Sequence, residues 1–148
     1  MTKHRGTTEE KRALDAYIKL MRAAETVTAN AQRHLARAGL TTSQFGVLEA
    51  LFHLGPLCQR DLGRKILKSS GNITTVIDNL QKRGLVERRP SAEDRRFVAV
   101  HLTAAGETLI RELFPRHAAG IVSELGALTP QEQEELGRLC RKLGRRQG

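Results

Sequence analysis

Residues 70 to 83 carry the side chains whose types and spacing suggest chemistry. Ile73, Val76, Ile77 and Leu80 fall at i, i+3, i+4 and i+7, the buried stripe of a helix. The opposite face holds Gly71, Thr74, Thr75, Asp78, Asn79 and Lys82. A solvated helix face usually carries Glu and Lys in i,i+4 pairs. Glycine, threonine and asparagine are poorer helix formers, so something other than local stability selects them. Short hydrogen-bonding side chains on an unobstructed face let a helix enter a DNA major groove and reach base edges or phosphates. Further along, Arg88, Arg89, Arg95 and Arg96 flank a turn-forming stretch from Pro90 to Asp94. Arginine is drawn into a narrow minor groove, where the negative potential is focused. Taken singly, the helix face reads as ordinary solvated surface and the arginines as a solubilising loop. Together and in this order they read as a groove-binding unit.

Charge points the same way. Across 148 residues, 25 Lys+Arg stand against 16 Asp+Glu, a formal net charge of +9. Residues 57–102 have the densest excess, with 10 basic and 5 acidic side chains. Each cation set beside a phosphate releases condensed counterions, so the expected partner is a polyanion. A membrane surface fits poorly, because bulky aromatic anchors are missing. There is no apolar leader and no run of about 18 apolar residues, so a soluble, cytoplasmic protein is expected. Cys58 and Cys140 stand far apart with no ligand partners at metal spacing, which suggests neither disulfide nor zinc. Glu132, Glu134 and Glu135 crowd a helix start, where they favour the helix dipole rather than flank a substrate. With no phosphate loop and no nucleophile–base pairing, neither an enzyme nor a cofactor is expected.

The groove-reading residues need a helix and a ribbon to hold them, and the chain's punctuation supplies both. Residues 7–38 read as one long helix opened by a capping box of Thr7 and Glu10. Leu14, Tyr17, Met21, Ala24, Thr28, Ala31 and Leu35 recur along it at alternating spacings of three and four, as in a helix lying along another helix. Gly39 ends it. Thr41 and Gln44 open a helix with Phe45, Leu48, Leu51 and Phe52 inward, and Gly55-Pro56 stops it. A short helix over 59–67 follows, with Leu62, Ile66 and Leu67 apolar, and then the helix over 70–83, capped by Ser69 or Ser70 and ended by Gly84. Strands are expected at 85–89 and 96–102, the second with Val98, Val100 and Leu102 on one side. Thr103 caps a helix to about residue 125 that Pro115 should kink, and Thr129-Pro130-Gln131-Glu132 opens a last helix bearing Leu136, Leu139 and Leu143. Aromatic residues make up only 3%, with no Trp, and a thin aliphatic core of this kind gains from a second subunit.

The run from Lys68 to Thr103, above all Asp94-Arg95-Arg96 followed by a strand and Leu102-Thr103, resembles the recognition helix and wing of the MarR family of transcriptional regulators. The likeness extends over nearly the whole chain. It implies a mainly α fold with a small β-hairpin wing, a winged helix-turn-helix with long terminal dimerisation helices. One domain would span 1–148, with dimerisation helices at about 7–38 and 104–146 and a DNA-binding lobe at about 41–103. It also implies a homodimer on a pseudo-palindromic operator in double-stranded DNA. By position, Ser69, Ser70, Asn72, Thr74, Thr75 and Lys82 fall on the recognition helix or its cap. Asp94 matches the acidic residue that orients an arginine, Arg96 the arginine placed in the minor groove, and Arg95 and Arg88 the backbone neighbours.

Many members of that family are repressors released by small aromatic or phenolic ligands. Arg22, beside the apolar stripe of the first helix, is the candidate to pair with an effector carboxylate, and a surface salt bridge is the plainer reading. His34, His53 and His117 are equally open between packing and ligand binding. The thiol found near the N-terminus of some oxidant-sensing relatives is missing, since the first helix has no Cys. A rival function is that of a nonspecific architectural nucleic-acid-binding protein, supported by the net charge and by Arg141, Lys142, Arg145 and Arg146.

Overall fold

The computed structural model describes residues 5–66 and 70–145, with backbone alone at 70 and 71. Ser69, Leu67, Lys68 and Arg146 lie outside the described residues, and so does the side chain of Ser70. The order is α1 (Thr8–Arg37), α2 (Thr42–Leu54), β1 (Leu57–Cys58), α3 (Gln59–Lys65), α4 (Ser70–Lys82), β2 (Val86–Pro90), β3 (Val98–Leu102), α5 (Ala104–Leu125) and α6 (Pro130–Gly144).

Local chemistry explains where these helices start and stop. Thr7 with Glu10, Thr41 with Gln44 and Thr129 with Glu132 each form a complete capping box ahead of α1, α2 and α6. In each, two backbone N–H groups left over at the helix start find side-chain acceptors, and losing such a cap costs about 1 kcal/mol. Gly39 and Gly84, both at φ +74°, take the left-handed conformation that ends a helix without a Cβ clash. Pro115 lies inside α5, which runs on to Leu125 without a break.

The expected hairpin forms, and a third strand joins it. The sheet order is β1-β3-β2, antiparallel throughout, with Leu57 opposite Val100 and the β2–β3 ladder running from Val86↔Leu102 to Pro90↔Val98. Two residues are too few to show alternation, which is why β1 left no periodic signal. The inward side of β3 also differs from expectation. Val100 is fully buried, whereas Val98 is 51% exposed, because the ladder there has run past β1 and only Pro90 stands opposite.

The core sits beneath the sheet and joins α2, α3, α4 and both strands of the ribbon to the end of α1 and the start of α5. Leu35, Leu48, Leu62, Ile73, Ile77, Leu80 and Ile110, with Val47, Val86 and Val100, are fully buried in it. Thr103 closes the seam between ribbon and α5, accepting from Gly106 N at 3.1 Å and donating to Gly84 O at 2.6 Å. Gly106 is required at this seam, since a Cβ there would lie 2.0 Å from the Leu85 carbonyl oxygen. Outside this lobe the described parts of α1 and α6 bury little. Leu35 is the one buried residue of α1 among those described, and α6 has none.

Candidate nucleic-acid interface

α4 presents a buried stripe and an exposed polar face, with Val76 only partly buried. Ile73, Ile77 and Leu80 are buried in the core, while Asn72, Thr75, Asn79 and Lys82 are exposed. Thr74 and Asp78 are half-buried on the flank nearest α3 and β2. The burial of the stripe fixes the helix roll, so the short polar side chains face outward as a consequence of core packing.

That flank carries a network the sequence did not reveal. Arg88 reaches from β2 to α4, with Nη2 at 2.7 Å from Asp78 Oδ1 and Nη1 donating to Gln81 Oε1 at 2.9 Å. Nη2 also donates to Gln59 Oε1 at 3.3 Å, and Gln59 Nε2 in turn donates to Thr74 Oγ1. Arg88 therefore lies along α4 with 27% of its side chain exposed. Nearby, Arg83 Nη1 donates to Gly39 O at 2.7 Å, tying the end of α4 to the end of α1.

The wing tip has the opposite character. Arg96 Nη2 donates to Asp94 Oδ2 at 2.8 Å, Nε bridges both carboxylate oxygens at 3.1 and 3.2 Å, and the Arg96 backbone N–H donates to Oδ1 at 3.0 Å. These bonds, the guanidinium's first, hold the Asp94 carboxyl below the ordinary carboxylate range, so the clamp is ionised at neutral pH. The Arg96 side chain is nevertheless 84% exposed, an oriented cation at the edge of the molecule. Arg95 is exposed beside it, and Arg89 pairs with Glu87 at 2.7 Å.

A cleft of about 760 Å³ opens between α1, α2 and the end of α3, lined by Thr28, Gln32, Glu49, His53, Lys65 and Ile66 among others. Arg22 is exposed on α1 and takes no part in that lining, and no carboxylate pairs with it among the described residues. Two histidines touch aromatic rings, and His53 is also exposed and lines the cleft. His117 lies 4.5 Å from the Phe45 ring and His53 lies 4.8 Å from Phe114. Burial, only partly opposed by Glu49, pushes the His117 pKa down and favours the neutral ring. His34 Nε2 is buried without a hydrogen-bond partner among the described residues. No three His, Cys, Asp or Glu side chains among the described residues are grouped to hold a metal, and no helix there is long and apolar enough to cross a membrane.

The sequence profile of the MarR family matches residues 40–98, the lobe just described. The HTH-type transcriptional regulator MhqR of Bacillus subtilis is 34% identical over 133 residues, covering 90% of this chain and 92% of its own. The chain belongs to the MarR family. Among solved structures, that of BpsR from Bordetella bronchiseptica, whose DNA binding is regulated by 6-hydroxynicotinic acid, is 31% identical with a TM-score of 0.77, covering 84% of this chain and 89% of that one. A MarR family regulator from Streptomyces coelicolor solved in complex with DNA is 25% identical with a TM-score of 0.81, covering 97% and 90%. This MarR protein is accordingly a DNA-binding transcription regulator with a winged-helix fold, and its relatives are regulators rather than enzymes.

Proposed function

We propose that this MarR protein is a homodimeric, cytoplasmic repressor that reads a pseudo-palindromic operator, with α4 in the major groove and the wing tip in the adjacent minor groove. The observation that carries this reading is the clamped, outward Arg96 beside a helix whose exposed face is short and polar. An arginine already oriented by a carboxylate loses less side-chain freedom on entering a narrow groove. Thr74, Thr75 and Asn72 are the groove-side contacts, and Ser69 and Ser70 are kept as contacts on the sequence resemblance alone. Lys82 and Arg95 serve the backbone.

Duplication rests on the bare terminal helices. Leu14, Tyr17, Ile18 and Met21 of α1 and Leu136, Leu139 and Leu143 of α6 are exposed in the single chain. Apolar stripes of this kind suit a second copy. In such a dimer each lobe carries one α4, which suits two half-sites a helical turn apart.

For an effector, the cleft between α1, α2 and α3 has the size of a small-molecule site. His53 and Lys65 give it polar and cationic groups suited to a phenolic or aromatic acid. Arg22 would reach such a ligand only from outside that lining.

Nuclease footprinting on host genomic fragments, in excess random DNA, tests the reading. One protected, two-fold-related site is expected. Loss of all protection to the random competitor would instead favour a nonspecific architectural binder.

A further inference from the structure

We propose that Arg88 is a positioning residue for groove reading rather than a DNA contact; this rests on the operator-binding function proposed above. Thr74, Asp78 and Gln81 fall at i, i+4 and i+7, one flank of α4, and Arg88 lies along that flank. Its guanidinium engages Asp78 and Gln81 of α4 and Gln59, the first residue of α3, from its place on β2. One planar fork thus fixes the angle between three elements. Through Gln59 it also reaches the Thr74 hydroxyl, orienting a side chain of the groove face itself.

Charge supports the same assignment. Asp78 is half exposed on the helix that faces a polyanion, where a bare carboxylate would repel phosphates. Arg88 neutralises it at 2.7 Å. A guanidinium so engaged, with 27% of its side chain exposed against 84% for Arg96, is turned to the protein and not to a phosphate. Lysine would keep the charge and lose the fork, since an ammonium cannot present parallel N–H groups to separate acceptors.

Gel-shift titrations at several salt concentrations, on the genomic fragment selected by the wild-type protein and on random DNA, test this. Arg88→Lys is expected to lower affinity for the selected fragment about tenfold, the scale of coupling within one network, with random-DNA affinity held. The charge-balanced double variant Asp78→Asn/Arg88→Gln is expected to keep the wild-type salt slope. Retained fragment affinity in Arg88→Lys, or a salt slope lowered by about 0.9 in the double variant, would mark a phosphate contact and overturn the assignment. Gln59→Ala removes no charge and serves if the Arg88 variants melt early: a similar tenfold loss supports the proposal, and unchanged affinity overturns it. Wild-type protein that does not prefer its fragment over random DNA would instead refute the operator-binding function, leaving the two failures distinguishable.

Discussion

Arg96 and Arg88 belong to one ribbon yet meet opposite surroundings. Arg96 is held by a carboxylate two residues away and left in solvent, while Arg88 is drawn across the gap to α4. Truncating Arg96 to Ala should cost about 1–3 kcal/mol of operator affinity and reduce the salt slope by about one. The melting temperature should stay unchanged, because an exposed pair contributes little to stability. Fluorescence anisotropy against salt, with a thermal melt alongside, checks both, and full operator affinity in the variant would remove Arg96 from the interface. The Asp94–Arg96 clamp was expected only from the resemblance to the MarR family, and it forms between residues two apart in one turn. The Arg88 network was not, because Gln59, Asp78 and Gln81 meet it only after α3, α4 and β2 have packed. Nor did the sequence single out a cleft, which is formed by residues from three helices.

At the scale of elements, the helices were readable from their ends. Three capping boxes and the glycines at 39 and 84 fall where sequence placed them, because those signals act within a single turn. Longer-range decisions stayed hidden. β1 is two residues long and pairs only with Ala99 and Val100 of β3, and Val98 is exposed where the ladder has run past β1 and only Pro90 stands opposite. The seam between ribbon and α5 is equally tertiary, and it gives a sharp test. Gly106→Ala would force a methyl against the Leu85 carbonyl, so the backbone must part there. A loss of about 1–3 kcal/mol is expected by urea unfolding, the usual cost of overpacking. A variant as stable as wild type would mean that α5 shifts freely on the sheet.

For the whole molecule, the distribution of burial is the informative feature. The lobe closes its own core, while α6 and the first two-thirds of α1 keep their apolar side chains in solvent. Met21→Asp should therefore yield a folded single subunit by sedimentation, with near-native circular dichroism and weakened operator binding. A dimer that persists at micromolar concentration would move the interface away from this part of α1. The heptad-like stripe was visible in the sequence, since helical period alone reveals it; which of its members the chain covers by itself was not, and only Leu35 is covered among the described residues.

The Arg83 bond to the Gly39 carbonyl gives this division a mechanical consequence. It rivets the tail of α4 to the tail of the long first helix, whose residues Thr28 and Gln32 also form one wall of the cleft. On the effector-responsive function proposed above, a molecule wedged into that cleft would bear on the first helix, and the rivet would pass the strain on to α4. In the dimer proposed above, two copies so strained would differ in the span between their reading heads, and the DNA would fall out of step with them.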